Sequence, residues 1–262
     1  MRALNTAATG MMAQELNVEV ISNNIANMRT SGFKRQRAEF QDLLYETLQR
    51  VGSPTSDQGT ILPAGVQVGS GVRTAATPRV MSQGEVSPTE SDLDVAIRGE
   101  GFLRIQLPAG RTAFTRDGSV ELDVQGQLVG ADGAGVDPGI TVPPNASNLT
   151  ISKIGVVSVT IPGQTAPQEL GQLQLSRFIN KSGLEAIGDN LFLETAASGA
   201  PQNGTAGTDG FGDVLQKYIE QANVNAVSEI SDLIAAQRAY EMNSRVISAA
   251  DNMLQSTSGM LR

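Results

Sequence analysis

Histidine and cysteine are both missing from this 262-residue chain, tryptophan is missing too, and aromatic residues make up only 4% of it. Without cysteine there is no disulfide, no thiolate nucleophile and no thiolate metal site. Without histidine there is no imidazole ligand and no side chain that ordinarily titrates near neutrality. An enzyme made from this chain is left with carboxylates, hydroxyls, lysine and tyrosine. Few aromatics also mean little material for a dense core, while 28 Gly and 11 Pro imply many turns. Small packed modules joined by extended segments are expected. No run of 18 apolar residues offers a transmembrane helix. After Arg2, the polar residues Asn5, Thr6, Gln14, Glu15 and Asn17 interrupt any signal-peptide core, which by itself implies a cytoplasmic protein. A formal charge of -8 and a pI near 4.7 argue against nucleic acid as a partner, since phosphate neutralisation needs a cationic face.

What the chain does have is two ladders of apolar residues at seven-residue spacing, one at each end. The first is Leu4, Met11, Val18 and Ile25, with Ala7, Ile21 and Met28 three residues behind members of that set. The second is Leu233, Tyr240, Ile247, Leu254 and Leu261. A heptad seam is built to meet another helix, so assembly comes to mind before chemistry. The first helix is expected from Ala3 to about Met28, closed by Thr30-Ser31-Gly32. The second should start at an N-cap, Asn223 or Asn225, and run without proline to about Leu261. Gln237, Ser244, Asp251 and Ser258 occupy positions that a two-stranded zipper fills with apolar residues. The broad face that also includes Ala236, Ala239, Val246, Ala250 and Met253 therefore suits more than one neighbour.

Between the ladders the pattern changes. Arg37 to Leu48, with Phe40, Leu43, Leu44 and Leu48 on one side, fits a second helix or a bent strand. Residues 51–80 are rich in Gly, Ser, Thr, Pro and Gln and read as extended chain or edge strand. From 84 to about 195, short alternating runs such as Leu93–Ile97, Phe102–Leu107, Val156–Ile161 and Leu173–Phe178 are separated by turn signals, which predicts an antiparallel sandwich or barrel-like module. Residues 198–212 read as a linker, and 213–221 fit strand or helix. The fold class is α+β: a terminal helical coiled-coil domain (1–36 and 220–262), an extended connecting segment (37–82), and a β-rich outer domain (83–219) with a flexible linker at 198–212.

The remaining motifs favour plain structural roles. Gly99-Glu100-Gly101 lacks a third glycine and a following helix, so a tight hairpin turn outweighs a nucleotide loop. Asp92, Asp94 and Asp117 sit where turn-forming carboxylates belong. Tyr240 belongs to a packed ladder. Lys34, Arg35 and Arg37 read as a solvated turn after a helix. No catalytic, cofactor-binding or metal-ligating residue is assigned.

Three groups of strings are more specific. Ala8-Thr9-Gly10-Met11, Ile21-Ser22-Asn23-Asn24-Ile25-Ala26-Asn27 and Ser31-Gly32-Phe33-Lys34-Arg35 lie near the N-terminus. Asn223-Val224-Asn225 and Ala236-Gln237-Arg238-Ala239-Tyr240-Glu241-Met242-Asn243-Ser244 lie near the C-terminus. Between them stand Leu93-Asp94-Val95-Ala96-Ile97, Gly99, Gly101-Phe102 and Phe114-Thr115-Arg116-Asp117-Gly118. In order and spacing, over nearly the whole chain, they resemble the bacterial flagellar rod and hook family. Arg37 to Tyr45 and the stretch at about 46–72 resemble its distal-rod branch, with a proximal rod subunit the alternative. Outside the family, a secreted fibre or adhesin module is the competing class.

The resemblance implies a non-enzymatic subunit that self-assembles into a helical tubular drive shaft, carries torque and encloses an export channel. It implies proximal rod subunits, hook-side subunits, the surrounding P and L rings and the flagellar type III export apparatus as partners, with neither nucleic acid nor direct membrane insertion. It also implies export without a cleaved signal peptide to a rod running from periplasm to outer membrane, which displaces the cytoplasmic expectation. The assembly interface would be Leu4, Met11, Val18, Ile21, Ile25, Met28, Leu233, Tyr240, Ile247, Leu254 and Leu261. The signature residues are Asn23, Asn24, Asn27, Gly32, Phe33, Lys34, Gln237, Arg238 and Asn243.

Overall fold

The structure, a computed structural model, describes residues 2–52, 64–108, 110–163, 166–208 and 210–260. One helix lies near each end of the sequence, and a mostly β region separates them. The chain divides into two compact units, each assembled from distant stretches. The first takes residues up to Ile25, Gln36–Pro78 and the chain from Asn225 onward; the second takes Ala26–Arg35 and Arg79–Val224. Among the described residues, no helix is long and apolar enough to cross a membrane.

In the first unit, α1 spans Arg2–Ala26 and α2 spans Ala226–Met260. Both are free of proline, and α2 begins where a short amide side chain can cap it. Asn225 Oδ1 accepts the N–H groups of Val227 (3.0 Å) and Ser228 (3.3 Å), which satisfies two donors that the first turn leaves without helical partners. α1 stops at Ala26, and Met28 falls in the turn that follows.

The stretch that fitted either helix or strand is strand. β1 (Glu39–Asp42) pairs antiparallel with β4 (Val72–Ala76), and β2 (Tyr45–Gln49) pairs with β3 (Val66–Gly69). A lone twelve-residue helix is marginal in water. Val66, Val68, Val72 and Thr74, by contrast, suit a pleated ladder that satisfies the backbone. The β2–β3 ribbon is exposed along all of β2. The part of the connecting stretch at 53–63 lies outside the described residues.

The second unit is built on a curled, nine-stranded antiparallel sheet. Phe102–Gln106 is central, bordered by Thr112–Thr115 on one side and by Gly135–Asp137 and Gln174–Arg177 on the other. Alternation gives the sheet two buried faces. Leu103, Ile105, Ala113 and Leu175 point into an aliphatic core with Val95, Ile97, Val136 and Val157. Phe102 and Phe114 point the other way, against Phe178, Phe192 and Leu184. Phe114 and Phe178 meet edge to face at 4.7 Å, the geometry favoured by the ring quadrupoles. Four of the chain's few aromatic residues are thus spent on one small cluster.

Three expectations are settled differently or more sharply. Within 198–212, expected as a linker, Gln202–Thr205 is a strand paired with Gln174–Arg177. Its small, polar residues suffice because it lies at the margin of the sheet, and a Cβ on Gly204 would come 2.3 Å from the Phe211 ring. The ambiguous stretch after it forms two strands, Asp213–Gln216 on Val95–Arg98 and Tyr218–Glu220 on Val86–Pro88. Gly99-Glu100-Gly101 does not close a hairpin. It carries the chain from Val95–Arg98 into Phe102–Gln106, two strands in different sheets, and its glycines at φ +108° and +142° allow that change of direction.

Candidate assembly site

The first unit buries little and exposes much. Among the described residues, its buried apolar side chains are Ala7, Ala13, Val20, Ile21, Ala236 and Ala250, of which only Val20 and Ile21 are large. Among the described residues, fifteen of the 22 exposed large apolar ones belong to this unit, so its apolar surface is mostly unused within the subunit. On α2 these include Val227, Ile230, Ile234, Met242, Val246 and Met253, and on the ribbon Leu44 (87% exposed), Tyr45, Leu48, Val66 and Val68. A surface of this kind marks an interaction site.

The ladders take intermediate positions. Leu4, Met11, Val18 and Ile25 are half-buried and Ile21 is buried; Met28 belongs to the second unit and is exposed. Leu233 and Ile247 are half-buried, Tyr240 and Leu254 are exposed, and Leu261 lies outside the described residues. The seam that α2 buries is a different heptad set, Glu229, Ala236 and Ala250. Asn243 completes it, and its amide lies so near Gly10 that a Cβ there would come within 2.9 Å. Small residues let backbones approach closely, so α2 turns its small seam inward and leaves most of its large apolar residues exposed, with Leu233 and Ile247 half-buried.

Asn24 explains one signature string. It is buried, and its side chain makes three hydrogen bonds: Oδ1 accepts Gln36 N–H (2.9 Å), and Nδ2 donates to Gln36 O (2.9 Å) and to Glu229 Oε2 (3.1 Å). Aspartate lacks the two donors, so Asn24→Asp would set an oxygen against Gln36 O and Glu229 Oε2 instead. Asn23 is exposed, as are Gln237 and Arg238. Asn27 belongs to the second unit, where its Oδ1 accepts Thr30 Oγ1–H at 3.2 Å.

The second unit holds a buried charge cluster that the sequence pattern had assigned to a solvated turn. Lys34 is 1% exposed and Glu220 likewise. Lys34 Nζ donates to Glu220 Oε1 and to Ser82 O (2.9 Å). Arg116 donates to Glu220 Oε2 (3.1 Å), Ile97 O (3.3 Å) and Gly99 O (2.6 Å), with its guanidinium 5.4 Å from the Phe102 ring centroid. Burial pushes the Lys34 amine below its ordinary pKa, with Arg116 adding to the shift and Glu220 opposing it. Burial lowers Arg116 as well.

Backbone bonds reinforce the cluster. Gly32 N–H donates to Glu220 O (2.8 Å), Arg35 N–H to Asn223 Oδ1 (2.8 Å), and Asn223 Nδ2 to Val80 O (2.7 Å). Gly32 has φ +68°, and a Cβ on it would lie 2.5 Å from Asp117 N. Phe33 is buried beside it in the chain. The strings Gly32-Phe33-Lys34 and Arg116-Asp117-Gly118 therefore meet in one knot that also holds Glu220 and Asn223. Glu220 and Glu229 escaped sequence reasoning because a lone glutamate before or inside a helix looks like any solvated one. Asp92 and Asp117 serve turns and surface pairing: Asp92 faces Lys217 Nζ at 2.5 Å, and Asp117 Oδ1 accepts Ser119 N–H at 3.1 Å.

Three family models match the chain. One described as flagella basal body rod protein covers residues 4–34, a flagellar hook protein FlgE/F/G D1 domain covers 96–159, and a flagellar basal body rod FlgEFG protein C-terminal model covers 215–260. The flagellar basal-body rod protein FlgG of Caulobacter vibrioides is 61% identical over 98% of both chains. The FlgG of Agrobacterium fabrum is 47% identical over 100% of both. The flagellar hook-basal body complex protein FlhP of Bacillus subtilis is 30% identical over 97% of both.

Proposed function

Because the chain belongs to the flagellar basal-body rod protein family, and is with it a structural subunit of the basal-body distal rod, we propose that its first unit is the surface by which copies join into a rigid tube. The observation that carries this is the imbalance in that unit, where, among the described residues, fifteen large apolar side chains are exposed and four of the six buried apolar ones are alanines. In this reading α1 and α2 pair as an antiparallel coiled coil and form the inner layer around an export channel. The β2–β3 ribbon lies against a neighbouring copy and limits sliding, so that torque passes through many modest contacts. The second unit, with its two buried sheet faces, supplies the sandwich-like outer module that meets the surrounding rings.

A place in the basal body implies assembly with other rod and hook components. Contact with P and L rings, export through the type III apparatus without a cleaved signal peptide, and a span from periplasm to outer membrane belong to the same proposal. The matched families are structural, and no enzymatic family is indicated.

The energetics are adequate. Burying a large aliphatic side chain contributes about 1.5–3 kcal/mol, so a ladder of that kind supplies on the order of 10 kcal/mol per subunit before ordering costs. Ile247→Asp tests it, because a carboxylate in a covered apolar seam is strongly disfavoured. Sedimentation and electron micrographs of the purified variant should show no tubes while thermal unfolding of the second unit is unchanged. Normal tubes from Ile247→Asp would remove the ladder from the assembly surface.

A further inference from the structure

We propose that Asn24 and Glu229 are positioning residues that set the register of α1 against α2, and with it the apolar face a subunit offers to a second copy. The inference rests on the first unit being the assembly surface.

Two contacts define the register. Asn24 Nδ2 donates to Glu229 Oε2, and Gly10 lies under the Asn243 amide. Going from Asn24 to Gly10 runs fourteen residues back along α1, and going from Glu229 to Asn243 runs fourteen forward along α2. The helices are therefore antiparallel in one register, with Asn17 placed opposite Ala236. The inward seam of α2 repeats every seven residues with small side chains at Ala236 and Ala250. A slip of one heptad, about 10.5 Å along the axis, would set Asn24 opposite Ala236 and Gly10 opposite Ala250. No bulky side chain in that seam forbids it, so apolar packing alone distinguishes the two registers poorly.

Polar pairing does distinguish them. In the slipped register the buried Glu229 carboxylate loses the Asn24 amide, and Asn24 keeps an N–H with no acceptor. Leaving buried polar groups unmatched is what makes a single buried asparagine specify register in helix pairs. Glu229 also lies in the first turn of α2, where the helix N-terminus favours a carboxylate. Asn24 in turn is held by both backbone groups of Gln36, so the bond that sets the register also ties down the start of the strand arm.

The test uses the full chain in a motile strain whose own copy it replaces, and the purified protein. Glu229→Gln keeps an oxygen for the Asn24 amide and should swim. Asn24→Asp sets two carboxylates face to face and should not. The double variant Asn24→Asp/Glu229→Gln restores the donor–acceptor pair between the helices, leaving only the bond to Gln36 O unmade, and should recover swimming in part. Asn24→Leu/Glu229→Leu should fold but lose its register.

Because the chain has no cysteine, register can be read by oxidation of introduced pairs. In the parent, Asn17→Cys with Ala236→Cys should cross-link at least about tenfold better than Asn17→Cys with Asn243→Cys, the slipped pair. In the leucine pair that ratio should fall toward one. Failure of Glu229→Gln to rescue Asn24→Asp, or an unchanged cross-link ratio in the leucine pair, overturns the assignment. A collapsed ratio with normal swimming overturns its link to assembly, whereas normal swimming of Ile247→Asp would instead overturn the assembly surface itself.

Discussion

Glu220→Gln is the most demanding perturbation the second unit offers, because it keeps the shape of a buried side chain and removes only its charge. Glu220 accepts from Lys34, from Arg116 and from Gly84 N–H (2.9 Å). In the variant both cations keep their backbone acceptors, but they lose the carboxylate they share. Breaking a buried ion pair from one side costs about 3–5 kcal/mol. At about 2–4 °C per kcal/mol for a unit of this size, Tm should fall by about 6–20 °C. Lys34→Met is the control. The cluster holds two cations and one anion, so removing Lys34 leaves Arg116 and Glu220 balanced, and the expected loss is only about 0–2 kcal/mol.

A pH series separates the two further. Burial holds the folded-state pKa of Lys34 below its ordinary 10.5. Below the folded value the amine is charged in both states, and the penalty for burying it is constant. Between the folded value and 10.5 the unfolded chain keeps a proton that the folded chain has shed, so folding gains as pH rises through that window. The parent should therefore gain on Lys34→Met as pH approaches 10.5. Thermal unfolding of the full chain followed by circular dichroism reads all of this. A Glu220→Gln variant within about 2 °C of the parent, or a Lys34→Met variant that loses as much, would refute the charge argument.

Two further substitutions probe the neighbouring features. Gly32→Ala should lower Tm of the second unit by at least about 4 °C, since a left-handed backbone with a Cβ costs about 1–2 kcal/mol and the new methyl must also displace the Asp117 backbone; an unchanged Tm would mean the turn relaxes freely. Leu44→Ser with Leu48→Ser should leave unfolding of the monomer within about 0.5 kcal/mol of the parent, yet raise the critical concentration for tube formation at least about tenfold, because two exposed leucines drop out of the proposed contact with the next copy. If the monomer is destabilised and polymerisation is not, the ribbon serves the subunit rather than the rod.

Periodicity revealed much of this architecture, and its failures have identifiable causes. The helices were readable because heptad spacing, absence of proline and the Asn225 cap agree over long stretches. The β module was readable from alternation, since Phe102 and Leu103 or Ala113 and Phe114 go to opposite faces of one sheet. Gln202–Thr205 was missed because a marginal strand needs no apolar signal, only a partner's backbone. Lys34 was misjudged for a different reason. A basic run normally solvates, and only the distant Arg116 and Glu220, brought in by the fold, make burial of the amine tolerable. The Asn24 bonds to Gln36 and Glu229 likewise join positions too far apart in sequence for any local pattern to pair them.

The two heptad sets on α2 carry the larger lesson about how a subunit prepares for assembly. If the large ladder of Leu233, Tyr240, Ile247 and Leu254 were the seam turned inward, a subunit would satisfy its own apolar surface and have little left with which to bind a copy. The inward set is instead Glu229, Ala236, Asn243 and Ala250, whose small side chains yield little hydrophobic stabilisation and whose polar members yield specificity. Large side chains contribute about 1.5–3 kcal/mol each when covered, so leaving Tyr240 and Leu254 exposed and Leu233 and Ile247 half-buried holds part of that burial in reserve for the contact between copies proposed above. On the proposed reading, a helix pair made this way is weak alone and strong in company, which suits a subunit that gains its stability by joining copies of itself.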